Sequence, residues 1–196
     1  QRLAIRGRRT RGLSMPENSP ERLTPFRTFF AELVTANAGA TNDRLKMAFA
    51  STFRERFLGN GPWRVFTPSG YISTPSDDPA FLYQDITVAL EDAGSINNGQ
   101  PTLHALCLAA LNIQEGETIV HIGAGTGYYT ALLSKLAGLS GSIDAFEIES
   151  RLSERAVRNL ADLRNVFVHS GSGTTLQLPT CEVIYVNAGA TAPLNS

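Results

Sequence analysis

From Pro25 to Leu58 apolar side chains recur at helical spacing. In PFRTFFAELVTA, Phe26, Phe29, Phe30, Leu33 and Val34 fall on one stripe, and NDRLKMAFASTFRERFL repeats the arrangement with Leu45, Phe49, Phe53 and Phe57. Both stretches predict amphipathic helices that bury these stripes in a core, with Asn42 or Asp43 capping the second. The periodicity lapses between Gly59 and Asn98, where Gly, Pro, Ser and Asp dominate and only WRVFT and DITVAL read as extended. A loop of that length predicts a functional or mobile segment. NNGQPTLHALCLAAL restores the helical pattern, with Pro101 suited to a first turn and an end near Leu111.

From Glu117 the pattern becomes regular. TIVHI (118–122), SIDAFEI, NVFVHS and EVIYVNA read as buried strands. YYTALLSKLAG, closed by Gly138, and SRLSERAVRNLADL, with Leu152, Ala156, Val157, Leu160 and Leu163 inward, read as helices. This alternation predicts an α/β fold: a Rossmann-like parallel sheet in a three-layer α/β/α arrangement, with helices on both faces. The expected organisation is a flexible basic extension over 1–24, a helical and loop cover over 25–98, and a Rossmann-like core over 99–196.

Composition narrows the class. The chain has 196 residues, 42% hydrophobic, with a formal charge of -1, in the range of ordinary globular domains. No window reaches the roughly 18–20 apolar residues of a membrane span, and no charged-then-apolar leader opens the sequence. A soluble, cytoplasmic protein with no membrane or nucleic-acid partner is the expectation. Arg2, Arg6, Arg8, Arg9 and Arg11 crowd the start without an acid; an RNA- or membrane-binding arm is one reading, and a solvated tail is the favoured one. The chain begins with Gln1 instead of Met, which implies a processed start or a piece of something longer. Cys107 and Cys181 sit in apolar stretches as reduced core residues, and neither they nor His104, His121 and His169 have metal-ligand spacing, so no metal is expected.

The chemistry concentrates at VHIGAGTGYYTALL, residues 120–133, where a strand stops, glycines alternate and a helix follows at once. In parallel α/β sheets ligands sit beyond the carboxyl ends of strands. Gly123, Gly125 and Gly127 occupy that place and let backbone approach a ligand. A dinucleotide site requires glycine at the sixth position of G-x-G-x-x-G, and here Tyr128 stands there. The G-x-G-x-G form suits S-adenosylmethionine, although glycines also serve a bare strand-to-helix turn. Glu147, closing the second strand twenty residues beyond Gly127, is placed to accept two ribose hydroxyls. Glu149 is read as a surface acid without a role.

These motifs, with others in order along the chain, resemble the protein-L-isoaspartate (D-aspartate) O-methyltransferase family. The resemblance runs from about Asp43 to Pro193. NDRLKMAFASTFRERFL resembles the family's N-terminal helix leading into its V-P-R-x-x-F element, LYQD (Leu82 to Asp85) its A-Y-x-D, GQP (Gly99 to Pro101) its S-Q-P, the glycine loop its V-L-E-I-G-x-G-S-G-Y-x-T-A-x-L, IDAFEIESRLSERAVRNL its post-loop strand and helix, and VNAGATAP its V-T-A-A-x-P. It implies methyl transfer from S-adenosylmethionine to a carboxylate of a peptide or protein, in the family that of an isoaspartyl residue. The implied cofactor set is Gly123, Gly125, Gly127 and Glu147, with Ser172 near adenine. On the acceptor side stand Asn97, Asn98 and Gln100, with Asn187 at the mouth of the fourth strand.

Three positions depart from the family pattern. The serine of T-I-S-Q-P falls on Gly99, preceded by Asn97 and Asn98, whose amides either donate to a carboxylate or only form a turn. The acid two residues before the first motif glycine is His121, and the aspartate after the third strand is Ser172. The sequence supplies four core strands where the family builds seven, so a C-terminal truncation and an exposed edge at the fourth strand are expected. A relative that binds a nucleoside or a protein without catalysis, or a methyltransferase with a different acceptor, is the alternative reading. An NAD-linked oxidoreductase is disfavoured by Tyr128.

Overall fold

The computed structural model describes residues 20–91 and 96–189. The arginines from Arg2 to Arg11 and the end of VNAGATAP lie outside them. A 3-10 turn at Pro20–Leu23 leads into α1 (Thr24–Asn37), whose start suits Pro25. Leu23 is buried and Arg22 pairs with Asp78 at 2.5 Å, so the last residues of the expected extension belong to the folded body.

The inward stripe of α1 is turned relative to the prediction. Phe30, Ala31 and Val34 are buried, but Phe26 and Phe29 face outward and Arg27 takes an inward position. The reason is polar: Arg27 donates to the Tyr83 hydroxyl (3.0 Å) and pairs with Glu55, while Phe30 packs edge-on against Phe49 and Tyr83. Asn42 caps α2 (Asp43–Ser51), its Oδ1 accepting from the N–H groups of Arg44 (2.9 Å) and Leu45 (3.4 Å). The single long helix expected here breaks at Thr52, which is extended, and resumes as one turn, α3 (Glu55–Leu58). The break points Arg54 inward and leaves Phe53 partly exposed, 3.6 Å from the Arg27 guanidinium.

Residues 59–91 are more ordered than a loop. β1 (Arg64–Thr67) and β2 (Gly70–Ser73) form an antiparallel hairpin, of which the second strand carried no sequence signal. DITVAL makes only single bridges, Val88 to Val65 and Ala89 to Asn97. Leu58, Trp63, Val65, Leu82 and Val88 form a small second core beneath them. Arg54 ties the segment down from below, donating to the carbonyls of Leu82 (2.5 Å), Gln84 (2.8 Å) and Ile86 (3.1 Å).

After α4 (Pro101–Leu111) come β3 (Thr118–Ile122), α5 (Tyr128–Ala137), β4 (Ser142–Glu147), α6 (Ser150–Asn159), β5 (Val166–Ser170) and β6 (Val183–Val186). The four strands pair in parallel in the order β5-β4-β3-β6, with β6 at an edge as expected. Ile119, Ile143, Val183 and Tyr185 lie on one face, in a continuous core with residues of α1, α2, α4, α5 and α6. On the opposite face Phe167, Ile184 and Val186 remain more than half exposed. Helices on both faces were expected; among the described residues they cover one. Both helical crossovers, β3-α5-β4 and β4-α6-β5, step the same way across the sheet, and right-handed connections stepping one way lie on one face. The return from β5 to β6, residues 171–182, contains no helix. Val157, predicted inward, is exposed, and Cys107 and Cys181 are free and only half-buried.

Candidate active site at the carboxyl ends of the strands

β3, β4 and β6 end together, and their following residues wall a cavity of about 390 Å³, within the size range of small-molecule sites. Gly123 lets the ends of β3 and β6 meet: a Cβ there would stand 2.6 Å from the Asn187 carbonyl oxygen. Gly125, with φ at +57°, borders the cavity, and a Cβ on it would come 3.4 Å from Leu90 across the opening. Gly127 serves the turn into α5 instead, since a Cβ would meet Leu160 at 2.7 Å, and it does not line the cavity.

Glu147 closes β4 and faces this loop. One carboxylate oxygen accepts from the Gly125 N–H (2.6 Å) and the other from the Glu149 N–H (2.9 Å). The carboxylate is therefore held by two backbone donors at the cavity wall. Ile148 and Glu149, the latter first read as a surface acid, complete that wall.

The opposite wall is Leu90 and Ile96 to Gly99. Asn98 is 6% exposed, and its Oδ1 accepts from the Val88 N–H at 2.7 Å. Asn97 is exposed, and its Oδ1 accepts from the Gly99 N–H at 2.9 Å in an Asx turn. Gln100 lies outside the cavity and donates to Asp85 (3.2 Å), whose other oxygen accepts from the Thr102 N–H (2.8 Å) at the start of α4. Ser172 is also outside the wall: its hydroxyl is bonded to Thr174 and its carbonyl to a local turn. Asn187 lines the cavity beside Gly123, as expected.

Two histidines stand behind the cavity. His121 is fully buried on β3, with Nδ1 2.9 Å from the Thr130 hydroxyl, and burial followed by the neighbouring His104 pushes its pKa down to about 3. His104 stacks on Tyr129 with ring centroids 3.6 Å apart and bonds through Nδ1 to the Tyr185 hydroxyl. Burial lowers its pKa to about 4, so both imidazoles are neutral near pH 7. His104 Nε2 fills the space beside Gly99, 2.1 Å from where a Cβ would be. Tyr128 and Tyr129 line the cavity and were missed as wall residues. The signal in the sequence is their position immediately after Gly127, in the first turn of α5.

A family model for protein-L-isoaspartate(D-aspartate) O-methyltransferase matches residues 35–193. The chain belongs to that family. Among curated relatives, protein-L-isoaspartate O-methyltransferase of Thermotoga maritima is 29% identical over 154 residues, covering 76% of this chain and 44% of the relative. Protein-L-isoaspartate O-methyltransferase 2 of Anaeromyxobacter sp. is 31% identical over 159 residues, covering 79% and 57% respectively. The chain thus spans about half the length of the curated relatives it matches. Among solved structures, a protein-L-isoaspartate O-methyltransferase superposes with a TM-score of 0.67 at 27% identity, over 83% of this chain and 48% of its own. A Plasmodium falciparum structure with S-adenosyl-L-homocysteine, described as of the same enzyme type, shares the fold at 15% identity, with a TM-score of 0.66 over 86% of this chain and 76% of its own. The Rossmann-like methyltransferase fold read from the sequence is the fold of this family.

Proposed function

We propose that this chain binds S-adenosylmethionine and transfers its methyl group to a carboxylate of a peptide or protein, with an isoaspartyl residue as the acceptor class and repair of damaged protein as the setting. Family membership supports the reaction type. The observation that carries it is the Glu147 carboxylate held across the cavity edge from Gly125, where no side chain obstructs approach to the backbone. The donor supplies a sulfonium-activated methyl group, so transfer to an ionised carboxylate needs alignment more than acid–base help.

The residues divide that work. Glu147 exchanges its bond to the Gly125 N–H for ribose hydroxyls, and the backbone at Gly123 and Gly125 lies against the methionyl end. Gly127 contributes by shaping the turn, and Gln100 by steadying Asp85 at the start of α4. Ser172, assigned to the adenine end, acts from the loop after β5 and not from the cavity wall. Residues 25–98 wall off the acceptor side and residues 99–196 hold the donor. The charged residues on the cavity wall are Glu147 and Glu149, both on the donor side. Opposite charges on sulfonium and carboxylate cancel as the methyl moves, and a wall that carries no cation among the described residues leaves the acceptor's charge unquenched. We place the activity in the cytoplasm, in keeping with the two free cysteines.

Calorimetry with S-adenosylhomocysteine tests the donor site: micromolar binding is expected, weakened about tenfold or more by Glu147→Ala. Incorporation of labelled methyl into an isoaspartyl peptide tests the transfer. A chain that binds no S-adenosylhomocysteine, or binds it and methylates no carboxylate peptide, refutes the proposal at its first or second step.

A further inference from the structure

Resting on that reading of the cavity, we infer that Asn98 is the residue that grips the acceptor carboxylate, through its side-chain Nδ2, and that Asn97 is a turn residue with no hold on substrate. Asn98 lines the cavity and is 6% exposed. Its Oδ1 is committed to the Val88 N–H at 2.7 Å, and this bond fixes which way round the amide sits. The other end, Nδ2, is buried and has no hydrogen-bond partner among the described residues. A buried amide N–H without a partner is costly to folding, so an unpaired donor on a residue of the cavity wall marks the place where a ligand's oxygen belongs.

The neighbouring positions leave Asn98 without a rival in the segment 97–100. Asn97 spends its Oδ1 on the Gly99 N–H and is otherwise turned to solvent. Position 99 cannot carry a donor, because any side chain there would run into His104 Nε2, 2.1 Å from the Cβ position. Gln100 is engaged with Asp85 outside the wall. What faces the acceptor is therefore a neutral donor. It orients a carboxylate without pairing off the charge that makes it nucleophilic, and it has no acceptor atom to offer an amine.

Asn98→Asp tests the inference with Asn98→Ser beside it: the first keeps an oxygen for the Val88 N–H and replaces Nδ2 with a second, charged carboxylate oxygen, and the second removes Nδ2 without adding charge. The probes are a short peptide with one isoaspartyl residue and its counterpart in which that side-chain carboxylate is a carboxamide, each titrated into the S-adenosylhomocysteine complex. Asn98→Asp is expected to weaken the isoaspartyl peptide at least about tenfold and to raise affinity for the carboxamide peptide, with S-adenosylhomocysteine affinity changed less than about threefold. Asn97→Asp is expected to leave both peptides within about threefold of their starting affinity. Should Asn98→Asp not fold, as judged by loss of S-adenosylhomocysteine binding and of its melting transition, Asn98→Ser carries the test alone. Its shorter hydroxyl cannot reach the acceptor, and the same loss of isoaspartyl peptide with retained S-adenosylhomocysteine is expected.

Unchanged peptide affinity in the variant overturns the inference and leaves the donor site standing. A parallel fall in S-adenosylhomocysteine affinity in a folded variant also overturns it, by assigning the amide to the donor's own carboxylate. So does a wild-type complex that holds S-adenosylhomocysteine but neither peptide. A wild-type chain that binds no S-adenosylhomocysteine, or binds it and methylates no carboxylate peptide, strikes at the proposed function beneath it.

Discussion

Gly99 and His104 form a pair in which one residue's missing side chain is the other's seat. The imidazole lies between the Tyr129 ring and the Gly99 backbone, and Gly99 has φ at +70°. A serine at this place, as in the family pattern, would meet both a ring atom and a conformation that L-residues avoid. Gly99→Ser is expected to lower stability by about 2 kcal/mol in urea denaturation, and a second change, His104→Ala, to return part of that loss. Two singly destabilising changes that simply added would sink the steric account. The glycine at 99 was visible in the sequence, but its cause was not. His104 lies five residues on, and the contact exists only because Tyr185, from the far edge of the sheet, holds the ring in place. Glu147 was the reverse case, since a strand-terminal acid after a glycine loop announces its own position.

At the scale of elements, the strands and helices from 118 to 186 were legible because their periods are simple and each buries one clear stripe. The break at Thr52 was not, because Phe49, Phe53 and Phe57 keep helical spacing across it. What overrides that spacing is Arg54, fully buried and bonded to three carbonyls of residues 82–86, a demand no local pattern announces. Arg54→Met should leave those carbonyls without their donor and cost about 3 kcal/mol. Hydrogen exchange should then rise first in residues 82–91, the segment leading to the cavity wall at Leu90; uniform exchange across the chain would mean that Arg54 holds nothing in particular there. The sheet face that carries no helix among the described residues differs from the expectation for another reason. Strand–helix alternation predicts covered faces in general, whereas the side each helix takes follows from strand order, which the sequence does not state.

For the whole molecule, His104 and His121 set a response to acid. Their folded pKa values, about 4 and about 3, lie below the ordinary histidine value of 6.5 because burial disfavours the imidazolium. Between those limits the unfolded chain binds more protons than the folded one, so stability rises with pH through this window and falls as pH drops from 6.5. Each histidine should cost roughly 2 kcal/mol by pH ~5. Urea midpoints at pH ~7.5 and ~5 would measure it, and His121→Phe should flatten the dependence by about half. An equal slope in that variant would mean that other groups govern the acid response. His121 was flagged in the sequence only as a departure, and its burial came from the sheet's centre, where β3 has a neighbour on either side.

The apolar interior runs without a seam from Phe30 and Val34 in α1, through Leu45 and Phe49, to Leu132, Leu136 and Ile143 beneath the sheet. The half that carries the glycine loop is therefore no detachable cassette. Cut free at residue 99, it would present an oily flank to water and clump or melt. Any transplant of this glycine-loop cavity into another scaffold has to bring the N-terminal helices with it.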